Sequence, residues 1–199
     1  MTDKPKQVRG VAVRERFVDV ATALFYTHGV RAVGIDEIVR QTGMAKASLY
    51  RWFPTKDDLI LAVLERRDEN FWAAWDHTAA AHPDPRNELD AQIAWIQDLA
   101  TSENYRGCAF LNTAAEFDDT EHHAIRTRCL QHEEELHRRL RGLTSRLKVN
   151  NSDELADRLH IVIVGSLSVA GLYPKGSPAS RLRSLVDDLL AAAVVTTSN

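Results

Sequence analysis

The chain has 199 residues, 44% hydrophobic and 27% charged, a composition ordinary for a globular protein with a sizeable core. Two cysteines, Cys108 and Cys129, make no disulfide framework, and the polar, basic stretch MTDKPKQVRG, with no apolar run, carries the expectation that there is no secretory leader. The net charge of −3 hides an asymmetry: residues 1–56 hold ten Lys/Arg against five Asp/Glu (+5), residues 57–199 hold 15 against 23 (−8), so a basic segment suited to a polyanion joins an acidic body.

In chain order, residues before about 13 read as a basic, disordered arm. Val13, Phe17, Val20, Ala21, Leu24 and Phe25 then recur at helical spacing, and His28-Gly29 stops that helix. GIDEIVRQTG predicts a short second helix, with Ile35, Ile38 and Val39 inward, Asp36 and Glu37 in its first turn, and Gly43 closing it. AKASLYRW is a third short helix, ended by Pro54. PTKDDL reads as the cap of a fourth, with Thr55 at the N-cap, running from about Lys56 to Ala81. HPDPRN breaks the chain. Further helices are predicted over 86–103, 107–117, 121–148, 153–172 and 179–195, separated by SENYRG, DDT, KVNNS and YPKGSP. No strand alternation or internal repeat interrupts this all-α pattern. The most apolar run, IVIVGSLSVAGL at 161–172, is too short to span a bilayer, and the expectation is a cytoplasmic protein with no membrane contact.

Two short helices joined by a glycine turn after a longer helix form a helix-turn-helix pattern, whose second helix enters the DNA major groove. On a wheel of GMAKASLYRWFPTK, Leu49 and Phe53 share the inner side, while Lys46, Ala47, Ser48, Tyr50 and Arg51 face outward. Small residues let the backbone approach base edges. Arg51 suits a bidentate pair with guanine and Ser48 several bases, while Lys46, Tyr50, Lys56 and the start of the fourth helix suit phosphates. The same spacing also fits a structural helical hairpin with a solvated face.

Residues 23–64 carry more than spacing. Phe25-x-x-x-Gly29, Ile38, the turn Gly43 and LYRWFPTKDDL together resemble the DNA-binding domain of the TetR family of transcriptional regulators. The resemblance implies a three-helix helix-turn-helix domain over 8–55. It also implies a helical domain over 56–199 that dimerises and binds an effector. The partners it implies are double-stranded operator DNA, a second copy of the chain and a small molecule. By position, Lys46, Ala47, Ser48, Tyr50, Arg51, Trp52 and Lys56 fall where the family meets DNA, with packing an equal alternative for Trp52. Gly34 and Ala45 depart from the family's Ser/Thr caps, which shifts phosphate contacts toward Arg14, Arg31, Arg40 or the arm.

In the acidic body, LHIVIVGSLSVAGL is apolar nearly all round, with Gly165, Ser166, Ser168, Ala170 and Gly171 permitting close helix approach. RLRSLVDDLLAAAVV adds a stripe through Leu182, Leu185, Val186, Leu189 and Leu190, so the two helices are the predicted dimer face. Trp72, Trp75, Trp95, Phe110, Asn112, Thr113 and Glu116 form the predicted ligand set, with plain core packing as the alternative for the aromatics. Glu116 suits a cationic or hydroxylated ligand, or an arginine from 126–141. His122, His123, His132 and His137 with Glu133 and Glu134 read as the charged surface of a long helix rather than a metal site. Cys108 and Cys129 read as inert thiols rather than redox sensors. No glycine-rich phosphate loop, nucleophile elbow or zinc-protease motif asks for a cofactor or for catalysis.

Overall fold

The computed structural model describes residues 4–118, 123–173 and 175–193. Its helices are α1 Lys4–His28, α2 Ile35–Thr42, α3 Lys46–Trp52, α4 Lys56–Ala81, α5 Pro85–Thr101, α6 Ala109–Glu116, α7 His123–Thr144, α8 Ser152–Ala170 and α9 Leu182–Ala193. A 3-10 turn, Pro178–Arg181, precedes α9. Among the described residues there is no strand.

The expected disordered arm is corrected: α1 begins at Lys4. Pro5 lies in the first turn, where its missing N–H leaves no hydrogen bond unmade. Other boundaries follow local chemistry. Asp84 caps α5 by accepting from the Arg86 and Asn87 amides, with Pro85 opening the helix. Asn151 caps α8 through the Glu154 amide. α7 stops at Thr144, short of the expected 148, because the chain tightens into turns through Arg146 N–H to Leu143 O and Leu147 N–H to Thr144 O. Residues 121, 122, 194 and 195 of the predicted helices lie outside the described residues.

The chain forms two compact units, residues 1–69 with 112–129, and residues 70–111 with 130–199. The first extends beyond the expected boundary at residue 55. It holds α1 to α3 and the opening of α4, with Phe17, Val18, Ala21, Ile38, Leu49, Phe53, Leu59 and Ile60 buried. Ion pairs join its helices at the rim: Arg66 to Glu15 and Asp19, and Arg128 to Asp68 at 2.5 Å.

The second unit buries one continuous apolar cluster. It runs from Trp72 and Trp75 through Leu89, Ile93 and Ile96 to Leu136, Leu140, Leu159, Ile163, Val186 and Leu190. In α8 and α9 the structure divides the predicted dimer stripes. Ser166, Ala170, Leu182, Val186 and Leu190 point inward, whereas Ile161 (70% exposed), Gly165, Ser168 and Leu172 (80% exposed) share the outer side, together with exposed Leu185. Gly171 has an internal reason: a Cβ there would lie 2.5 Å from the Arg106 carbonyl carbon and 2.6 Å from the Gly107 nitrogen. Gly165 has none among the described residues, since a Cβ there meets nothing of theirs within 4 Å.

Candidate nucleic-acid interface

The recognition element is built by two glycines and two anchors. Gly29, at φ 87°, ends α1 and donates its N–H to Phe25 O; Gly43, at φ 69°, ends α2 and donates to Val39 O at 3.1 Å. Both adopt the left-handed conformation that glycine reaches without strain. Leu49 and Phe53 are buried, which leaves Ala47, Tyr50, Arg51 and Trp52 exposed and Ser48 half-buried. Gly34 and Ala45 provide no side-chain cap to α2 or α3, as their identities required.

The cations of this face divide into tied and unengaged groups. Lys46 holds Asp36 at 2.7 Å, and that hydrogen bond, first among its causes, raises the lysine pKa. Lys56 is half-buried and donates to Val30 O at 2.7 Å, 6.0 Å from the Phe25 ring centre. Burial lowers its pKa, while the Glu116 and Asp57 charges oppose that effect. Arg40 is held by Glu37 through bonds of 2.9 and 2.6 Å, Arg14 by Glu15 at 2.9 Å and the Phe53 face, and Arg31 lies over Phe117. Arg51 is exposed and makes no ion pair among the described residues. Of the predicted contacts it is the side chain most available to a base edge.

Trp52 acquires a packing account. A Cβ on Gly10 of α1 would lie 3.3 Å from its ring, so the mid-helix glycine makes room for an indole that is still 38% exposed. At the start of α4, Thr55 and Asp58 form a reciprocal cap. The Asp58 amide donates to Thr55 Oγ1 at 3.1 Å, and the Thr55 amide and hydroxyl donate to Asp58 Oδ2 at 2.9 and 2.7 Å.

Glu116, expected at a ligand or an arginine, instead takes the backbone N–H of Val30 at 3.0 Å and of Arg31 at 2.7 Å. Its carboxylate closes the turn between α1 and α2, and Arg126 donates to the Ala114 and Phe117 carbonyls beside it. Thr113 is buried and Asn112 exposed. The aromatic members of the ligand set lie in the second unit. Trp72 and Trp75 meet edge to face at 6.1 Å, Phe71 lies 4.9 Å from both Trp72 and Trp95, and Phe110 stacks on His132 at 3.7 Å. Arg139 lies over Trp72 at 4.4 Å and is held by Asp76. A separate open cleft of about 830 Å³ is lined by Ser102, Glu103, Tyr105, Tyr173 and Lys175, outside the predicted set.

Sequence reasoning passed over Gln92 and undervalued His132. Gln92 is fully buried, with Nε2 donating to Trp75 O at 2.9 Å and Oε1 without a hydrogen-bond partner among the described residues. Both positions were detectable as polar residues within inward stripes, Leu89-Gln92-Ile93-Ile96 and Cys129-His132-Leu136-Leu140.

Residues 17–63 match the family described as bacterial regulatory proteins, tetR family. Over 95 residues the chain is 32% identical to the HTH-type transcriptional activator FasR of Mycolicibacterium smegmatis (47% of this chain, 43% of FasR). Over 80 residues it is 30% identical to the repressor KstR of the same organism (40% of this chain, 39% of KstR). The chain thus spans under half the length of these curated relatives. Along nearly its whole length it resembles the crystal structure of SCO4454, a TetR-family transcriptional regulator from Streptomyces coelicolor. That match has a TM-score of 0.83 and 27% identity, over 92% of this chain and 96% of that one. A glycine-turned helix pair with an anchored, outward-facing α3, a matched family segment and a solved relative of like fold lead to one conclusion: the chain belongs to the TetR family of DNA-binding transcriptional regulators.

Proposed function

We propose that the protein is a repressor that binds a palindromic operator as a homodimer and is released by a small-molecule effector. The observation that carries the reading is the exposed face of α3, where Ala47 and Ser48 admit the groove and Tyr50 and Arg51 stand beside them over buried Leu49 and Phe53. In this reading Arg51 reads a guanine edge, and Lys46, Tyr50 and Trp52 contact the backbone. Lys56, engaged on Val30 O, holds the turn that presents α3 and has its remaining N–H groups for a phosphate.

The outer stripe Ile161, Gly165, Ser168, Leu172 with Leu185 supports a dimer built from α8 and α9. Among the described residues nothing requires glycine at Gly165, and a second copy approaching there supplies a reason. A symmetric dimer matches half-sites about 34 Å apart. The effector region is placed around Trp72, Trp75, Trp95 and Phe110, with the unpartnered Gln92 carbonyl as a buried acceptor. Asn112 and Thr113 border it in sequence, whereas Glu116 is better read as a residue that positions the α1–α2 turn.

Release works by linkage: the effector favours a conformation whose two α3 helices no longer match successive grooves, and DNA weakens effector binding by the same factor. The test is operator selection from random duplexes, followed by anisotropy titrations and a promoter-reporter assay. A palindrome bound by a dimer, with reporter output rising when the protein is removed, supports the reading. Monomeric binding, or output falling on removal as for an activator, overturns the dimer or the repressor part.

A further inference from the structure

Within the second unit, Cys108, His132 and Glu133 bring a thiol sulfur, an imidazole nitrogen and a carboxylate oxygen within 4.8 Å of one another. Cys108 immediately precedes α6, and His132 and Glu133 are neighbours on α7. The charged-surface reading of this histidine does not hold, because His132 is only 4% exposed. Its ring is stacked on Phe110 at 3.7 Å and 7° and flanked by Phe71 and Trp72 at 5.0 and 5.1 Å, which sets its plane. Cys108 Sγ lies 4.0 Å from Glu133 Oε1, and His160 Nε2 holds the other carboxylate oxygen, Oε2, at 3.3 Å.

We propose that Cys108, His132 and Glu133 bind a zinc-class divalent cation. Sulfur, nitrogen and oxygen donors at about 2.3, 2.0 and 2.1 Å from zinc lie roughly 3.3–3.7 Å apart in a tetrahedron, so the observed cluster needs only a small contraction. A thiolate with an imidazole and a single carboxylate favours zinc over magnesium or calcium, which prefer oxygen donors throughout. Binding releases the Cys108 proton to solvent as sulfur joins the metal, so affinity rises with pH. His160 orients Glu133 from outside the ligand set, the usual place for a group that holds a metal-binding carboxylate. Three protein ligands leave one tetrahedral position for water or an exogenous donor.

The experiment uses the full, reduced chain titrated with Co2+ and then Zn2+, read by the thiolate-to-cobalt charge-transfer band and by calorimetry. One Co2+ per chain, with a thiolate band displaced by Zn2+, is the expected result. Cys108→Ser removes the band, and Glu133→Gln weakens zinc by about tenfold or more. His160→Gln weakens it by about 10-fold, as for an outer-shell partner. Cys129→Ser changes nothing. His132→Gln is expected to abolish binding; should its circular dichroism show misfolding, the Cys108 and Glu133 variants decide. A band that survives Cys108→Ser, a band lost with Cys129→Ser, or zinc affinity equal in all variants overturns the site. Because the readout is metal binding, failure here leaves the operator reading untouched.

Discussion

Removing the Glu116 carboxylate tests how the first unit holds the turn between α1 and α2. Glu116→Ala deletes two charge-assisted bonds, of 3.0 Å to the Val30 amide and 2.7 Å to the Arg31 amide. Buried bonds to a charged acceptor contribute about 1.5–3 kcal/mol each, but this pair is partly exposed, so the lower end applies and the sum is about 2–3 kcal/mol. For a chain of this size that corresponds to a fall of about 4–12 °C in Tm. Glu116→Gln keeps one acceptor oxygen and turns an NH2 toward an N–H, so its loss is smaller, about 1–2 kcal/mol. The assay pairs thermal denaturation with amide hydrogen exchange, in which Val30 and Arg31 should exchange faster than amides inside α2. Operator affinity should fall with them, since Val30 O also holds Lys56. An alanine variant with unchanged Tm and unchanged exchange at those two amides would refute the reasoning. Loss of effector affinity at full stability would return Glu116 to the ligand set.

Gly171→Ala should destabilise by about 1–3 kcal/mol through overpacking against the Arg106–Gly107 backbone, whereas Gly142→Ala in α7, where a Cβ meets nothing, should stabilise by about 0.5–1 kcal/mol; opposite shifts in denaturation midpoint check this pair. Arg51→Ala should cost about 1–3 kcal/mol on the selected operator and relax preference at one base position, while Lys46→Ala should weaken all duplexes alike and reduce the salt slope by about 1 in log–log titrations. The Arg138 hydrogen bond, aided by Arg139, holds the Glu135 carboxyl at about 2 in the folded protein, against 4.5 in a free side chain. A lowered folded pKa contributes stability above pH 4.5 that is lost as pH falls toward 2, so Glu135→Gln should flatten the acid limb of stability between those values in denaturation curves taken at stepped pH.

The helices and the recognition element were legible because their signals are local. Inward Leu49 and Phe53, the left-handed glycines 29 and 43, and the Thr55–Asp58 cap each depend on residues within a turn or two, and each forms where the pattern placed it. The start of α1 was misread because a basic, polar segment carries no apolar period to distinguish helix from coil. Site roles were harder. Lys56 bonds the carbonyl of Val30, 26 residues away, and Glu116 bonds amides 85 and 86 residues away, partners that no local pattern announces.

By itself the sequence determined an all-helical chain, its order of elements, the membership of its DNA-binding family and the side of α3 that faces outward. These follow from helical periodicity, turn stereochemistry and a dense local motif. Only the tertiary structure decided which polar groups are already satisfied and by what: Lys46 by Asp36, Lys56 by Val30, Glu116 by the α1–α2 turn. It alone brought Cys108 beside His132 and Glu133, and explained Gly171 by a backbone 64 residues distant while leaving Gly165 without a cause among the described residues. Hydrogen bonds and donor clusters depend on distances of a few ångströms between residues far apart in the chain, and no one-dimensional spacing encodes those distances.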